Sequence, residues 1–316
     1  MASPAPHKLP VIEFTANNSK RGATSWYKAC NEVVSALEMY GCFVAVYDKI
    51  SEETHNGVFE QLESLFDCPL ETKVQNKATK PLFGYVGQIP MIPLHESMGI
   101  YNSNTLEGIH EFAKIMWPGG NDEFSEKILT YTKLSVELER IVFEMVLEKY
   151  GVGKYYESIV GSANYLCRVM KYREAKIGEN KVAFLSHTDK SFMSTIHQNQ
   201  VDGLEIQAKD GEWFAVDNLS TSSVVVMAGD AFMAWSNDRV KSPRHRVTMN
   251  GKTSRYSIGL FSFLENVMVQ TPEEFIDDDC PQLYKPFDHL NFVEFYSKKE
   301  NLALKDGNAI RNYCGL

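Results

Sequence analysis

No two cysteines of this 316-residue chain have the C-x-x-C spacing of a metal-binding ribbon or a redox motif. The six cysteines also lack the spacing of a small disulfide-stapled domain, so we expect reduced thiols in a cytoplasmic protein. They are Cys30, Cys42, Cys68, Cys167, Cys280 and Cys314. No apolar run approaches the ~20 residues that span a bilayer, and the N-terminal residues lack the apolar core of a secretory signal. We therefore expect no membrane partner.

Long basic blocks are absent as well. The chain has 32 Lys and Arg against 41 Asp and Glu, a net charge of −9, which disfavours a nucleic-acid groove. The dinucleotide motif G-x-G-x-x-G, the phosphate loop G-x-x-x-x-G-K-[ST] and the nucleophile elbow G-x-S-x-G are all missing. With 44% hydrophobic residues, the chain has enough apolar surface to form a sizeable core.

The first half predicts helices and a few strands. Short strands are expected at residues 9–14 and 43–47, and an apolar stripe between Trp26 and Leu37 predicts a helix that ends near Gly41. Ser51 is a suitable N-cap for a second helix, and residues 124–149 predict a third that stops at Gly151. Residues 73–110 show no clear period and are expected to form a long ordered loop.

After about residue 162 the apolar period becomes two, which indicates β-strands. The predicted strands are 164–172, 182–186, 193–198, 204–207, 213–216, 223–227, 231–235, 245–249 and 255–263. Nine short strands separated by turns favour an antiparallel jelly roll, a double-stranded β-helix. The expected division is an N-terminal mixed helical region (1–155), the jelly-roll core (156–265) and a C-terminal loop and helix (266–316).

Polar residues in this β-rich half form the candidate site. His187 and Asp189 follow one strand, and His245 begins a later one. Two imidazoles and one carboxylate can occupy one face of Fe(II) and leave positions open for substrate and dioxygen. Arg255 and Ser257 lie two apart on an apolar strand and so share a face, where a guanidinium and a hydroxyl could bind a carboxylate.

With these motifs in order, the sequence resembles the plant 2-oxoglutarate- and Fe(II)-dependent dioxygenases. The resemblance rests on His187-x-Asp189, on His245 after 55 intervening residues, and on Arg255-x-Ser257. It covers most of the chain. The segments Met170-Lys171-Tyr172 and 116–122 are similar to the branch that contains the AOP-like and auxin-oxidising enzymes.

The resemblance implies that His187, Asp189 and His245 bind Fe(II), and that Arg255, Ser257 and Tyr172 contact the co-substrate 2-oxoglutarate. Met170 stands where the family usually has an Asn. The implied reaction consumes dioxygen, converts 2-oxoglutarate to succinate, and hydroxylates or oxidatively dealkylates a small plant metabolite, with ascorbate as a reductant. Aromatic candidates for contact with that substrate are Phe192, Phe261 and Phe263.

Two other functions compete with this expectation. A 2-oxoglutarate-independent non-haem iron oxidase could retain the Arg-x-Ser pair, and oxygen consumption with and without 2-oxoglutarate separates the two. A non-catalytic jelly-roll binding protein could retain the scaffold alone, although the intact ligand set argues against it.

Overall fold

The structure is a computed structural model that describes residues 7–298, 300 and 309–316. The helices within these residues are α1 (Thr24–Met39), α2 (Glu52–Phe66), α3 (Leu70–Lys73), α4 (Leu106–Met116), α5 (Asp122–Tyr150), α6 (Tyr156–Ser162), α7 (Asp230–Trp235), α8 (His289–Ser297) and α9 (Ala309–Cys314). Among them, none is both long enough and apolar enough to cross a bilayer.

The strands are β1 (Val11–Phe14), β2 (Cys42–Tyr47), β3 (His95–Tyr101), β4 (Ala163–Tyr172), β5 (Val182–His187), β6 (Met193–Gln198), β7 (Leu204–Gln207), β8 (Trp213–Ala215), β9 (Ser223–Ala228), β10 (His245–Thr248), β11 (Arg255–Leu264), β12 (Met268–Val269) and β13 (Phe287–Asp288). They form a large sheet in the order β1-β2-β9-β6-β11-β4-β3, a small sheet β5-β10-β7-β8, and the pair β12-β13. Only β1 and β2 run parallel within the large sheet.

The long helices begin and end where their sequences supply capping groups. The Ser51 hydroxyl accepts a hydrogen bond from the Thr54 N–H at 3.1 Å, and Asn121 caps α5 in the same way. Gly151 follows α5 with φ of 70°, a left-handed conformation that glycine adopts without steric cost. The predicted helix start at Ser51 and helix end at Gly151 are confirmed.

Two apolar regions organise the molecule. The outer face of the large sheet packs against α1, α2 and α5, through residues such as Trp26, Leu62 and Val142. The inner face meets the small sheet, because Val225 and Met227 of β9 share one cluster with residues of β7 and β10. Two sheets that enclose an interior in this manner form the predicted jelly roll, with helices on one side.

Two sequence predictions about secondary structure were wrong. Residues 231–235 form α7 and not a strand, because a short apolar run is compatible with either element and Ala and Met favour a helix. Residues 73–110 are not one loop, since they include β3 and the first turns of α4. β3 exists because it pairs with β4 from His95↔Tyr172 to Tyr101↔Leu166, a contact that local sequence does not report. The division at residues 155 and 265 stays a prediction.

Candidate active site

His187, Asp189 and His245 meet at one end of the small sheet. His187 is the last residue of β5 and His245 the first residue of β10, and the two are direct partners in the antiparallel register. Their ring centroids are 4.2 Å apart. Asp189 Oδ1 lies 3.6 Å from Nε2 of each histidine, and one donor atom from each of the three residues lies within 4.8 Å of the others. Three donors from two strand ends therefore face a common point.

The remaining polar atoms of the three side chains are held by the protein. His187 Nδ1 pairs with the Leu185 carbonyl at 2.9 Å and His245 Nδ1 with the Pro243 carbonyl at 3.2 Å. Because a carbonyl only accepts, each ring carries its proton on Nδ1 and presents a bare Nε2. Asp189 Oδ2 accepts a hydrogen bond from Ser194 Oγ at 2.7 Å, which leaves Oδ1 toward the imidazoles. This is the outer support that metal-binding side chains require.

The charge states also suit a divalent cation. Burial, together with the neighbouring His187, lowers the pKa of His245 to about 4, so its imidazole is neutral at pH 7. Burial alone would raise the pKa of Asp189, but the two imidazoles and the Ser194 hydroxyl outweigh it and hold that pKa well below its usual range. Neutral imidazole nitrogen with carboxylate oxygen is a donor set typical of non-haem Fe(II). The residues present therefore fit that metal.

A buried ion pair supports the segment that carries Asp189. Lys190 Nζ donates to the carbonyl and the hydroxyl of Thr188, both at 2.8 Å, and to Asp230 Oδ2 at 2.7 Å. Asp230, which has no exposed surface, also accepts from Ser242 Oγ at 2.7 Å, and its N–H donates to the Asp189 carbonyl at 2.8 Å. These contacts fix residues 188–190, and nothing in the sequence signalled the role of Lys190.

Arg255 is a cation in the barrel interior, with only 1% of its surface exposed. Its Nε and one terminal nitrogen donate to Gln198 Oε1 at 3.3 and 2.8 Å, and the other donates to Ser257 Oγ at 3.2 Å. The guanidinium lies 5.2 Å from the centre of the Tyr172 ring. No carboxylate of the described residues lies within ion-pair distance of it, although Asp202 acts on its charge from further away. A buried, unpaired guanidinium is costly, so this geometry favours an anionic ligand.

Gln198 is a feature of this region that the sequence did not reveal. Its Oε1 accepts from Arg255, while its buried Nε2 has no hydrogen-bond partner among the described residues. Met170, at the position where the family usually has an Asn, lies beside Ser257 in register and within 3.5 Å (sulfur to oxygen) of the Tyr172 hydroxyl. A thioether therefore replaces one polar group beside Tyr172.

The aromatic candidates for substrate contact lie in different places. Phe261 is partly exposed and packs between the interior cluster and a small cluster formed by Phe83, Leu166, Phe263 and Val293. Phe263 is buried in that small cluster, 5.0 Å from the Phe83 ring. Both residues share the interior-facing side of β11 with Arg255.

Phe192 lies instead on the helix-facing side of the large sheet. Its ring is buried in an aromatic cluster with Phe143, Phe232 and Trp235. That cluster belongs to the core beneath α5 and not to the interior that contains Arg255. We therefore do not carry Phe192 into the proposed substrate site.

Comparisons with known proteins agree with the motifs. Residues 163–263 match the 2OG-Fe(II) oxygenase superfamily, and residues 9–92 match the N-terminal region of non-haem dioxygenases in morphine synthesis. The chain is 41% identical over 297 residues to a probable 2-oxoglutarate-dependent dioxygenase AOP1 of Arabidopsis thaliana, covering 92% of this chain and 91% of that protein. It is 28% identical to the 2-oxoglutarate-dependent dioxygenase AOP3 of the same plant, covering 98% of each.

Solved structures with the same fold include two dioxygenases for auxin oxidation. The rice enzyme has a TM-score of 0.82 at 22% identity and covers 98% of this chain and 100% of its own. The Arabidopsis thaliana enzyme in complex with 2-oxoglutarate has a TM-score of 0.78 at 24% identity, covering 87% of this chain and 100% of its own. The resemblance predicted from the motifs is confirmed.

Proposed function

We propose a role for each residue of the site, from the premise that this chain belongs to the 2OG-Fe(II) oxygenase superfamily and is a 2-oxoglutarate-dependent dioxygenase, an oxidoreductase. His187 and His245 bind Fe(II) through Nε2, and Asp189 binds it through Oδ1. The observation that carries this proposal is the convergence of these three atoms. Each is free because the other polar atom of its side chain is hydrogen-bonded to the protein.

Arg255, Ser257 and Tyr172 are proposed to bind the distal carboxylate of 2-oxoglutarate. The guanidinium fork matches a carboxylate, and the burial of Arg255 makes the pairing strong because water does not compete there. Gln198 holds the guanidinium from the other side and so fixes its orientation. A dianion seated on Arg255 would direct its other end toward the metal ligands.

Bound Fe(II) and 2-oxoglutarate supply the oxidative chemistry: dioxygen oxidises the substrate C–H bond while 2-oxoglutarate becomes succinate and carbon dioxide. The chain's own residues position the reactants. Asp189 and the two histidines would hold Fe(II) through three donor atoms, and the remaining positions would be left for the co-substrate and dioxygen. Buried apolar side chains such as Val225 and Met227 form the interior in which Arg255 lies, so water competes little for its guanidinium.

The substrate is proposed to be a small plant metabolite that is hydroxylated or oxidatively dealkylated, with Phe261 and Phe263 as its aromatic neighbours and ascorbate as a reductant. A cytoplasmic location and the lack of nucleic-acid or membrane partners stay predictions. The two competing functions are not favoured. An anion site on Arg255 is redundant for an oxidase that needs no 2-oxoglutarate, and a non-catalytic binder needs no convergent ligand set.

The test is the uncoupled turnover of 2-oxoglutarate by the purified protein. We expect Fe(II)-dependent release of succinate that falls at least ~100-fold in Asp189→Ala and His245→Ala. The matched control is His110→Gln, which changes a partly exposed histidine on α4 and leaves turnover unchanged. Oxygen consumption that does not require 2-oxoglutarate would instead identify the oxidase, and activity that survives Asp189→Ala would contradict the proposed ligand set.

A further inference from the structure

The edge strand β3 brings polar side chains to the interior wall of the barrel. Its register with β4 and β11 places His95 in the row of Tyr172 and Arg255. Two rows further along, Arg168 of β4 lies between Gly99 of β3 and Gly259 of β11. Because glycine has no side chain, Arg168 is the only residue of these three strands that has a side chain in that row. This row falls between those of Ser257 and Phe261, the proposed co-substrate and substrate contacts.

Arg168 carries a positive charge that the described residues do not neutralise. Its guanidinium donates to the Leu82 and Gly84 carbonyls and, at 2.7 Å, to Ser97 Oγ, but to no carboxylate of the described residues. Burial lowers the pKa of Arg168 only to about 10, so the group stays protonated at neutral pH. Carbonyl and hydroxyl oxygens hold the guanidinium without cancelling its charge.

The charges of the proposed catalytic complex balance one another without the charge of Arg168. Lys190 is neutralised by Asp230. Ferrous iron, the Asp189 carboxylate, the 2-oxoglutarate dianion and the Arg255 cation together sum to zero. Arg168 is then an uncompensated cation on the wall of the same interior. Arg168 is partly exposed, so water solvates part of its charge in the free protein, and a ligand that displaces this water must supply the counter-charge.

The directions of the hydrogen bonds at Ser97 show that His95 is a second donor on this wall. Arg168 can only donate, so Ser97 Oγ is an acceptor there and its own proton is available to His95 Nε2, 3.0 Å away. His95 then carries its proton on Nδ1. That nitrogen is buried and has no partner among the described residues. The imidazole is 5% exposed and lies between the rings of Tyr172 and Phe184, at 5.0 and 4.7 Å, and Phe184 in turn contacts His187.

We propose that Arg168 and His95 bind a carboxylate of the primary substrate, and that this dioxygenase therefore oxidises a small organic acid with an apolar body. The proposal rests on the function proposed above and adds the substrate class. Arg168 supplies the counter-charge and part of its fork, the Nδ1–H of His95 supplies a second donor, and Phe261 in the next row supplies an apolar contact. A monoanion brings the total charge of the complex to zero.

The competing interpretation is that Arg168 only anchors the segment around Leu82 and Gly84 to the barrel. Such an anchor would affect acids and neutral compounds alike. The experiment must therefore compare each acid with its neutral ester on one protein preparation. It must also separate loss of the charge at Arg168 from loss of the anchor.

Isothermal titration calorimetry of the protein loaded with Mn(II) and N-oxalylglycine makes this comparison. The probes are benzoate, phenylacetate, cinnamate and indole-3-acetate, each with its methyl ester. We expect at least one acid to bind more tightly than its ester. Arg168→Met should weaken that acid about 20- to 150-fold and leave its ester unchanged, and His95→Phe should weaken it about 3- to 10-fold. Arg168→Lys should recover part of the affinity because it keeps the charge.

Lys171→Gln is the matched control, since Lys171 is the nearby cation on the opposite face of β4, above the Tyr256 ring. It should change neither acid nor ester binding. The proposal is overturned if no acid binds more tightly than its ester, or if Arg168→Met weakens acid and ester equally. Failure of the function itself would appear earlier and separately, as absence of Mn(II)-dependent binding of N-oxalylglycine before any acid is added.

Discussion

The buried pair of Lys190 and Asp230 should control both the stability of the protein and its affinity for metal. Asp230 has no exposed surface and Lys190 is 9% exposed, so Asp230→Asn leaves an ammonium group in the interior without its counter-charge. Asparagine keeps the shape and one acceptor oxygen. Breaking a buried ion pair by removing one partner costs about 3–5 kcal/mol, and we expect the lower end, about 3 kcal/mol.

The effect on metal binding follows from the positions of Lys190 and Asp230 beside Asp189. Lys190 donates to Thr188 on one side of Asp189, and the Asp230 N–H donates to the Asp189 carbonyl. A loosened segment holds Asp189 Oδ1 less firmly toward the two imidazoles. Loss of such outer support typically lowers metal affinity about 10- to 100-fold. We expect a decrease of that size for Mn(II).

Urea unfolding at pH 7 and Mn(II) titration measure the two effects. Lys190→Met with Asp230→Asn in one chain should cost less than the sum of the single changes, because the double variant leaves no unpaired charge. The control is Asp210→Asn, where the carboxylate is 56% exposed and pairs with His7, and where we expect no more than about 1 kcal/mol. Wild-type stability and Mn(II) affinity in Asp230→Asn would refute the reasoning.

Three further predictions concern other buried ionisable groups. Arg255→Met should raise the KM for 2-oxoglutarate about 100-fold or more in a succinate assay, because a buried carboxylate loses its cation. Burial raises the pKa of Glu139 to about 8, so its stability contribution is lost as pH rises from about 4.5 to 8; Glu139→Gln should raise the free energy of unfolding at pH 7 by about 3 kcal/mol. Burial and His55 lower the pKa of His197 to about 3, so the wild type should lose up to about 1.4 kcal/mol of stability per pH unit below 6.5 relative to a His197→Phe variant.

For each of these three predictions, one experimental result would contradict it. Arg246→Met, which removes a cation paired with Glu205 outside the interior, is the control for Arg255, and an equal rise in KM would contradict the assignment. A Glu139→Gln variant with the pH profile of the wild type would show that Glu139 is ionised in the folded protein. A wild-type stability that changes with pH between 6.5 and 4 in parallel with that of His197→Phe would contradict the neutral, buried His197.

The sequence alone determined the features whose causes are local. Ser51 and Gly151 mark helix ends because capping depends on a few neighbouring residues. Most strands of the second half follow from period-two alternation and turn residues, and the spacing of His187, Asp189, His245 and Arg255 identified the family and its cofactors. These features can be predicted without knowing which segments of the chain contact one another.

Only the tertiary structure decided what depends on partners distant in the chain. Residues 231–235 could form a strand or a helix, and β3 is defined by its pairing with β4 and not by its own composition. Phe192, just before β6, lies beneath α5 because its ring packs against Phe143, Phe232 and Trp235, which are distant in the chain. Gln198 faces Arg255 across 57 residues of chain, and His95, Ser97 and Arg168 meet only when two strands align. Side chains acquire these roles from strand order and register, which local sequence does not encode.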